Sequence, residues 1–207
     1  NKICMRTNGD YYTTGTCGVI SGGARNCITS LNCAQSSNST ISGGYQNCVQ
    51  ATGTAIIGEI GCTVGSVISG GKLNKIITEC EIANYNAIGG GLENIIKAAT
   101  NTQRVCNSTI SGGYDNYICA TYSTIAGGRS NLIETRANSS SIGGGACNYI
   151  CSDAGLQSND YSTISGGGLN LICGDSTSNS TIGGGYYNYI CGPDTCNSTI
   201  SGGYYNR

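Results

Sequence analysis

The sequence predicts an all-β fold, a β-solenoid of the β-roll or β-helix kind built from about ten short two-stranded coils. Three observations lead there: a motif that recurs along the chain, 34 glycines among 207 residues, and the lack of material for an ordinary core. With no Phe, no Trp, no His and a single Pro, the usual globular inventory is missing.

In its fullest form the motif reads Ser-Thr-Ile-Ser-Gly-Gly-Tyr-x-Asn-Tyr-Ile, and internal repetition of this kind governs how the rest of a chain is read. Its first Ile, position 0 below, is Ile20, Ile41, Ile68, Ile88, Ile110, Ile125, Ile142, Ile164, Ile182 and Ile200, and Gly-Gly follows each at +2 and +3. Position +6 is Asn in every copy: Asn26, Asn47, Asn74, Asn94, Asn116, Asn131, Asn148, Asn170, Asn188 and Asn206. Position +8 is Ile or Val wherever the copy is complete, from Ile28 and Val49 to Ile190.

Each copy therefore predicts one strand from about −2 to +1, a glycine turn where positive φ is easy, and a second strand from about +6 to +9. Two such strands bury too little apolar surface to offset their conformational entropy, so the coils must stack at about 4.8 Å and share one core. Alternation along the strands sends Ser at −2, Ile at 0, Asn at +6 and Ile at +8 inward. For the Asn, tolerance of left-handed backbone favours ending the glycine turn over forming an Asn-on-Asn ladder. Ten coils make a rod roughly 50 Å long.

Successive Ile-to-Ile intervals run from 15 to 27 residues, and the excess falls after the second strand, so variable loops leave from one edge. Residues 54–61, in the 27-residue interval, resemble a degenerate eleventh coil. Residues 1–18 read as an N-terminal cap or the end of a preceding segment, and 19–207 as one solenoid. The opening stretch lacks the charged and apolar regions of a signal peptide, and the sequence stops within a repeat, which together read as a mature or excised fragment.

Charged residues make up only 10% of the chain and the formal net charge is −1, so neither a basic field for nucleic acid nor an acidic tail is present. No apolar run approaches the roughly 20 residues of a membrane helix. The acidic residues form no obvious catalytic pair, and without His a nucleophilic Ser or Cys lacks its usual base, so the expectation is a protein that is not an enzyme and takes no cofactor. Triple glycines such as 143–145 are turns, since no Gly-Lys-Ser/Thr follows them.

Fourteen cysteines point to an oxidising compartment and a disulfide framework; zinc is the competing reading, and the paired C-x2-C spacing it favours is absent. Cys27 and Cys48 both occupy +7 of adjacent coils, and Cys151, Cys173 and Cys191 occupy +9 of three successive coils. One coil of separation lies within disulfide reach, so Cys27–Cys48 is the best single bridge, while Cys173–Cys191 competes with Cys191–Cys196. Cys33, Cys62, Cys80 and Cys106 are left for links between chains. Five Asn-x-Ser/Thr sequons start at Asn38, Asn107, Asn138, Asn179 and Asn197, ahead of the first strand, where glycans would sit at an exposed edge. Twelve of 14 tyrosines fall at −3, +4, +5 or +7, at turns or outward-facing positions; packing between coils or subunits is the bland reading and a carbohydrate platform the sharper one.

The run Asn197-Ser198-Thr199-Ile200-Ser201-Gly202-Gly203-Tyr204-Tyr205-Asn206 resembles the head repeats of trimeric autotransporter adhesins and related repeats of viral surface fibres. The resemblance covers nearly the whole chain. It implies a β-roll and a homotrimer with an attachment function toward a cell-surface or glycan receptor. The open backbone of the final coil, which lacks its second strand, offers end-to-end assembly into a filament as the other homo-oligomer. Bacterial heads of this kind are Ala-rich and cysteine-poor, so the cysteines and tyrosines here fit an extracellular or virion-surface fibre stapled by disulfides. The alternative is an ice-binding solenoid, whose face would be the Thr and Ser pairs flanking position 0, such as Thr40/Ser42, Thr109/Ser111, Thr163/Ser165 and Thr199/Ser201.

Overall fold

The computed structural model describes residues 2–6, 18–31, 38–52, 63–78, 83–98, 105–152, 160–174, 177–193 and 195–207. Among these residues the secondary structure is strand and turn, in two ten-stranded parallel sheets and a small third one. The leading sheet takes one strand from every motif copy in chain order, from Val19–Ile20 and Thr40–Ile41 to Thr199–Ile200. The trailing sheet takes the second strand of each complete copy, from Cys27–Leu31 to Tyr189–Cys191. Between the two sheets, single bridges join every +4 residue to the next, from Ala24 and Tyr45 to Tyr186 and Tyr204. The chain is a β-solenoid, as its repeat predicts.

Two features go beyond the motif. Lys2–Arg6 pairs in parallel with Cys27–Leu31 and is the tenth strand of the trailing sheet, with Ile3 in register with Ile28. The ladder thus extends into the segment read as a cap. The small sheet pairs Thr63–Val64 with Ala83–Asn84, where two adjacent loops run parallel before entering their leading strands. The suspected coil at 54–61 lies outside the described residues.

Register is strict because a parallel ladder with one buried face cannot slip by a single residue without turning its apolar set to water. Position 0 pairs with position 0 and +8 with +8 throughout, as in Ile110↔Ile125↔Ile142 and Ile118↔Ile133↔Ile150. These isoleucines form one continuous core and are almost wholly buried from Ile28 to Ile190, with Ile20 and Ile200 half-buried at its ends. Full burial of an Ile contributes roughly 1.5–3 kcal/mol, and each coil supplies two.

Asparagine at +6 forms a ladder of its own, contrary to the turn role that its backbone preferences suggest. The left-handed residue is the one before it: Arg25, Gln46, Leu73, Glu93, Asp115, Ser130, Cys147, Leu169, Tyr187 and Tyr205 all have φ between 53° and 61°. The Asn side chain points inward and is completely buried from Asn26 to Asn188. Asn94 is representative. Its side-chain oxygen accepts from the backbone N–H of Asn116 at 3.1 Å and from that residue's side-chain amide at 3.0 Å. Its own amide nitrogen donates to the Asn74 side-chain oxygen (3.1 Å), to Gly90 of its own turn (2.9 Å) and to Gly113 of the next coil (3.0 Å). One side chain thereby ties its own glycine turn to both neighbouring coils.

The same contact dictates glycine at +3. A Cβ on Gly128, whose φ is +89°, would stand 2.1 Å from the Gly145 carbonyl oxygen and 2.7 Å from the Asn131 amide. No side chain fits there. At −2 serine runs a shorter ladder: the Ser108 hydroxyl donates to the Ala120 carbonyl at 2.7 Å and accepts from the Ser123 N–H at 3.2 Å. Asn86 replaces serine in one coil and does the same work, donating to Val105 and accepting from the Ser108 N–H.

Replacing Asn131 by Ala should leave the Gly127 carbonyl and the buried Asn148 N–H without their partners, and the Gly145 carbonyl with only the Arg129 N–H. An unsatisfied buried group costs about 1–3 kcal/mol, so a loss of roughly 2–5 kcal/mol is expected in urea unfolding followed by circular dichroism. Thr124→Ser, on the outer face of the same coil, should shift stability by less than about 0.5 kcal/mol.

Candidate functional site

With the interior occupied by Ile, Asn and Ser, any function rests on the outer faces, and the two sheets present different ones. The leading sheet shows only small side chains: Thr, Val, Ala or Ser at −1, and Ser, Gly or Ala at +1. At −1 an in-register hydroxyl row runs from Thr109 through Thr124, Ser141, Thr163 and Thr181 to Thr199, while Val67 and Ala87 separate Thr40 from it. The trailing sheet carries the reactive and bulky groups at +5, +7 and +9.

Its cysteines fall where the repeat register puts them. Cys27 and Cys48 are in register, and the Cys27 thiol lies 2.7 Å from the Cys48 sulfur. That hydrogen bond, followed by burial, pushes the Cys48 thiol far above its ordinary range. Cys151, Cys173 and Cys191 form an unbroken row through two register pairs. Cys151 is also held protonated, first by its hydrogen bond with Cys173 and then by burial, so Cys151–Cys173 joins Cys173–Cys191 as a pairing the sheet brings into reach. Cys196 is exposed on the loop that follows Cys191. Cys33, Cys62 and Cys80 lie outside the described residues, and Cys106 is half-buried.

The sequons divide. Asn38, Asn107, Asn179 and Asn197 sit at −3, exposed and with φ between 54° and 60°. They meet the expected edge position, and left-handed backbone is itself a reason for Asn there. Asn138 is the exception: it stands one residue earlier and is half-buried. Its side-chain oxygen accepts from the Thr121 N–H at 3.0 Å, and its own N–H donates to Asp160 at 2.8 Å, so it is bound into the loop and not displayed at the edge.

Tyrosines occupy the surface as expected. Tyr85, Tyr122 and Tyr161 at −3 are each at least 60% exposed. Tyr186 and Tyr204, both at +4, stack with ring centroids 6.0 Å apart and planes 9° from parallel. Tyr45, at the same position, lies beneath two cations, Arg25 at 5.5 Å and Lys72 at 5.9 Å.

Sequence reading missed a groove of about 540 Å³ on the trailing face, lined by Asp115, Tyr117, Leu132, Glu134 and Tyr149 among others. Asp115 is at +5 and Glu134 at +9 of the next coil, so no shared repeat position marks them as neighbours. The Ser130 hydroxyl donates to Asp115 at 3.2 Å. Burial raises the Glu134 carboxyl above the usual range. Cys119, almost completely buried at the groove's edge, donates to the Ile133 carbonyl. Among the described residues no cluster of His, Cys, Asp or Glu is arranged to hold a metal ion.

Burial, and then the nearby Glu134 charge, push the Cys119 thiol up to about 12. Since the folded state keeps this proton more tightly than the unfolded chain, its contribution to stability is complete below about pH 8.5 and is lost as pH rises toward 12. Native protein treated with iodoacetamide at pH 8 should leave Cys119 unalkylated, with modification appearing only on denaturation or strong alkali, as read by peptide mass spectrometry.

Compared with models of known protein families and with curated protein sequences, the chain matches none, and its reading therefore rests on its own residues.

Proposed function

We propose that the chain is a structural, non-enzymatic module of an extracellular or virion-surface fibre, used for attachment and assembled through stacked repeats and disulfides. The observation that carries this reading is the pair of unbroken ten-stranded parallel ladders, which make a rod whose length is set by the number of copies. Among the described residues the interior is filled by Ile, Asn and Ser, and the repeating outer faces suit attachment along their length. The in-register cysteines add to this, since covalent links between coils resist separation of a ladder that hydrogen bonds alone would let peel. An oxidising location is the setting in which they would persist. The partners in this reading are further copies of the chain, as trimer or filament, and a cell-surface or glycan receptor; nucleic acid and membrane insertion have no part in it.

The test is light scattering with negative-stain imaging, run with and without reductant, alongside peptide mapping under non-reducing conditions. Rod-shaped oligomers and a Cys27–Cys48 linked peptide are expected. A monomer at high concentration under both conditions would count against the fibre.

One observation favours the ice-binding alternative: on the leading face no side chain exceeds Thr or Val in size, so the hydroxyl rows lie on an even surface. Thermal hysteresis or faceted ice crystals in protein solution would support it, and Thr163→Lys should then abolish most of the effect. Freezing indistinguishable from that of albumin would eliminate it.

A further inference from the structure

The groove on the trailing face lies in the middle of the array, across the coils of Ile110, Ile125 and Ile142, and apart from the ladder residue Asn131 its lining belongs to the repeat's outer positions or the loop and turn beside them. Its walls and floor follow from register. Tyr117, Leu132 and Tyr149 are consecutive +7 residues, paired in order across three parallel strands. Two tyrosines therefore stand two coils apart, roughly 9.6 Å at the strand spacing, with the shorter Leu132 between them. A ring in carbon contact with both, at about 3.5–4.0 Å on each side, needs roughly 7–8 Å. The spacing admits one saturated ring between them.

Polar groups close the two ends of the slot. Asp115 lies on the turn side, with the Ser130 hydroxyl already on one carboxylate oxygen, and Glu134 lies on the loop side. The intervals from Ile110 to Ile125 and from Ile125 to Ile142 are 15 and 17 residues, the shortest in the chain, so the loops that follow the Tyr117 and Leu132 strands are brief.

We infer that this groove binds a saccharide, taking a pyranose ring with its C–H faces against Tyr117 and Tyr149 and its hydroxyls on Asp115 and Glu134. Aromatic walls bury the apolar faces of a sugar, while carboxylates accept from hydroxyls at its rim. An alkylammonium is the other ligand that tyrosines and acids together suggest. Against it stands the arrangement: positions +5 and +9 flank the +7 row on opposite sides, so a ligand meeting both acids must span that row, which a single cationic centre does not do. A hydroxylated ring, or two linked rings, reaches from one end to the other.

The inference deepens the attachment reading by naming a receptor class, and it is tested apart from oligomer formation. Saturation-transfer difference NMR on the full chain would use methyl α-glucopyranoside, methyl α-mannopyranoside, methyl β-galactopyranoside and N-acetylglucosamine, with tetramethylammonium as the rival probe. Transfer to the ring protons of at least one sugar is expected. Leu132→Tyr fills the slot with a residue that the flanking coils already carry and should weaken binding about tenfold or more, and Glu134→Gln should weaken it severalfold. Leu171→Tyr, at +7 of the coil beyond the groove, should leave binding unchanged. No transfer to any of the four sugars, equal transfer in Leu132→Tyr, or binding of tetramethylammonium alone would overturn the assignment. Light scattering on the same samples reports the oligomer independently, so a monomer that binds sugar refutes the fibre alone, and a rod that does not refutes the groove alone.

Discussion

A primary amide buried in an apolar interior has two donors and an acceptor to satisfy, and water is not there to help. At +6 the solenoid meets that demand only if every coil lies at the same distance and in the same register as the next. The oxygen of Asn94 needs the donors of Asn116, and its nitrogen needs the oxygen of Asn74 and the glycine carbonyls of two turns. Hydrophobic burial excludes a slip of one residue but, being non-directional, discriminates less sharply among alignments that keep the isoleucines inward. The amide ladder does, and the rest of the coil is arranged around it: glycine at +3 because the neighbouring carbonyl passes within 2.2 Å of where a Cβ would sit in most copies, and left-handed backbone at +5 so that the next side chain turns inward.

That arrangement carries a local cost. Left-handed backbone at a residue with a Cβ is disfavoured by roughly 1–2 kcal/mol, and Leu73, Leu169, Tyr187 and Tyr205 adopt it although no short polar side chain helps them. It is tolerated because the N–H of each such residue reaches the previous coil, as Leu73 does to Tyr45, and because the following Asn completes its bonds only in this conformation. The cost recurs in each coil and so does the compensation, which is how a quasi-one-dimensional fold balances its energetics unit by unit.

Much of this was legible before any coordinates. The isoleucines at 0 and +8, the inward serines and the two strands follow from a period and an alternation that ten copies repeat. The role of the asparagine did not follow, since Gly-Gly-x-x-Asn reads equally well as a turn that Asn ends. The signal that decides it was present at the neighbouring position. A turn residue tolerates replacement, and +5 is Arg, Gln, Leu, Glu, Asp, Ser, Cys or Tyr, whereas a buried amide does not, and +6 never varies. The strand at Lys2–Arg6 escaped because a copy that begins at its second strand has no Gly-Gly to mark it. The groove escaped for a different reason: it is made by the difference between Leu132 and its flanking tyrosines, and aligning copies to find what they share discards such differences.

The interior and exterior of the rod therefore evolve under separate constraints. Inside, a substitution at 0, +3, +6 or +8 disturbs both neighbouring coils as well as its own. Outside, +5, +7 and +9 are read by solvent and partners, and parallel register turns any choice made there into a row or a gap at coil spacing. Two cysteines one coil apart become a potential bridge, as at Cys27 and Cys48, and two tyrosines with a leucine between them become a slot. The ladder that fixes the fold thus also fixes the distances between surface groups, so a solenoid acquires a binding geometry by choosing side chains alone, without reshaping its backbone.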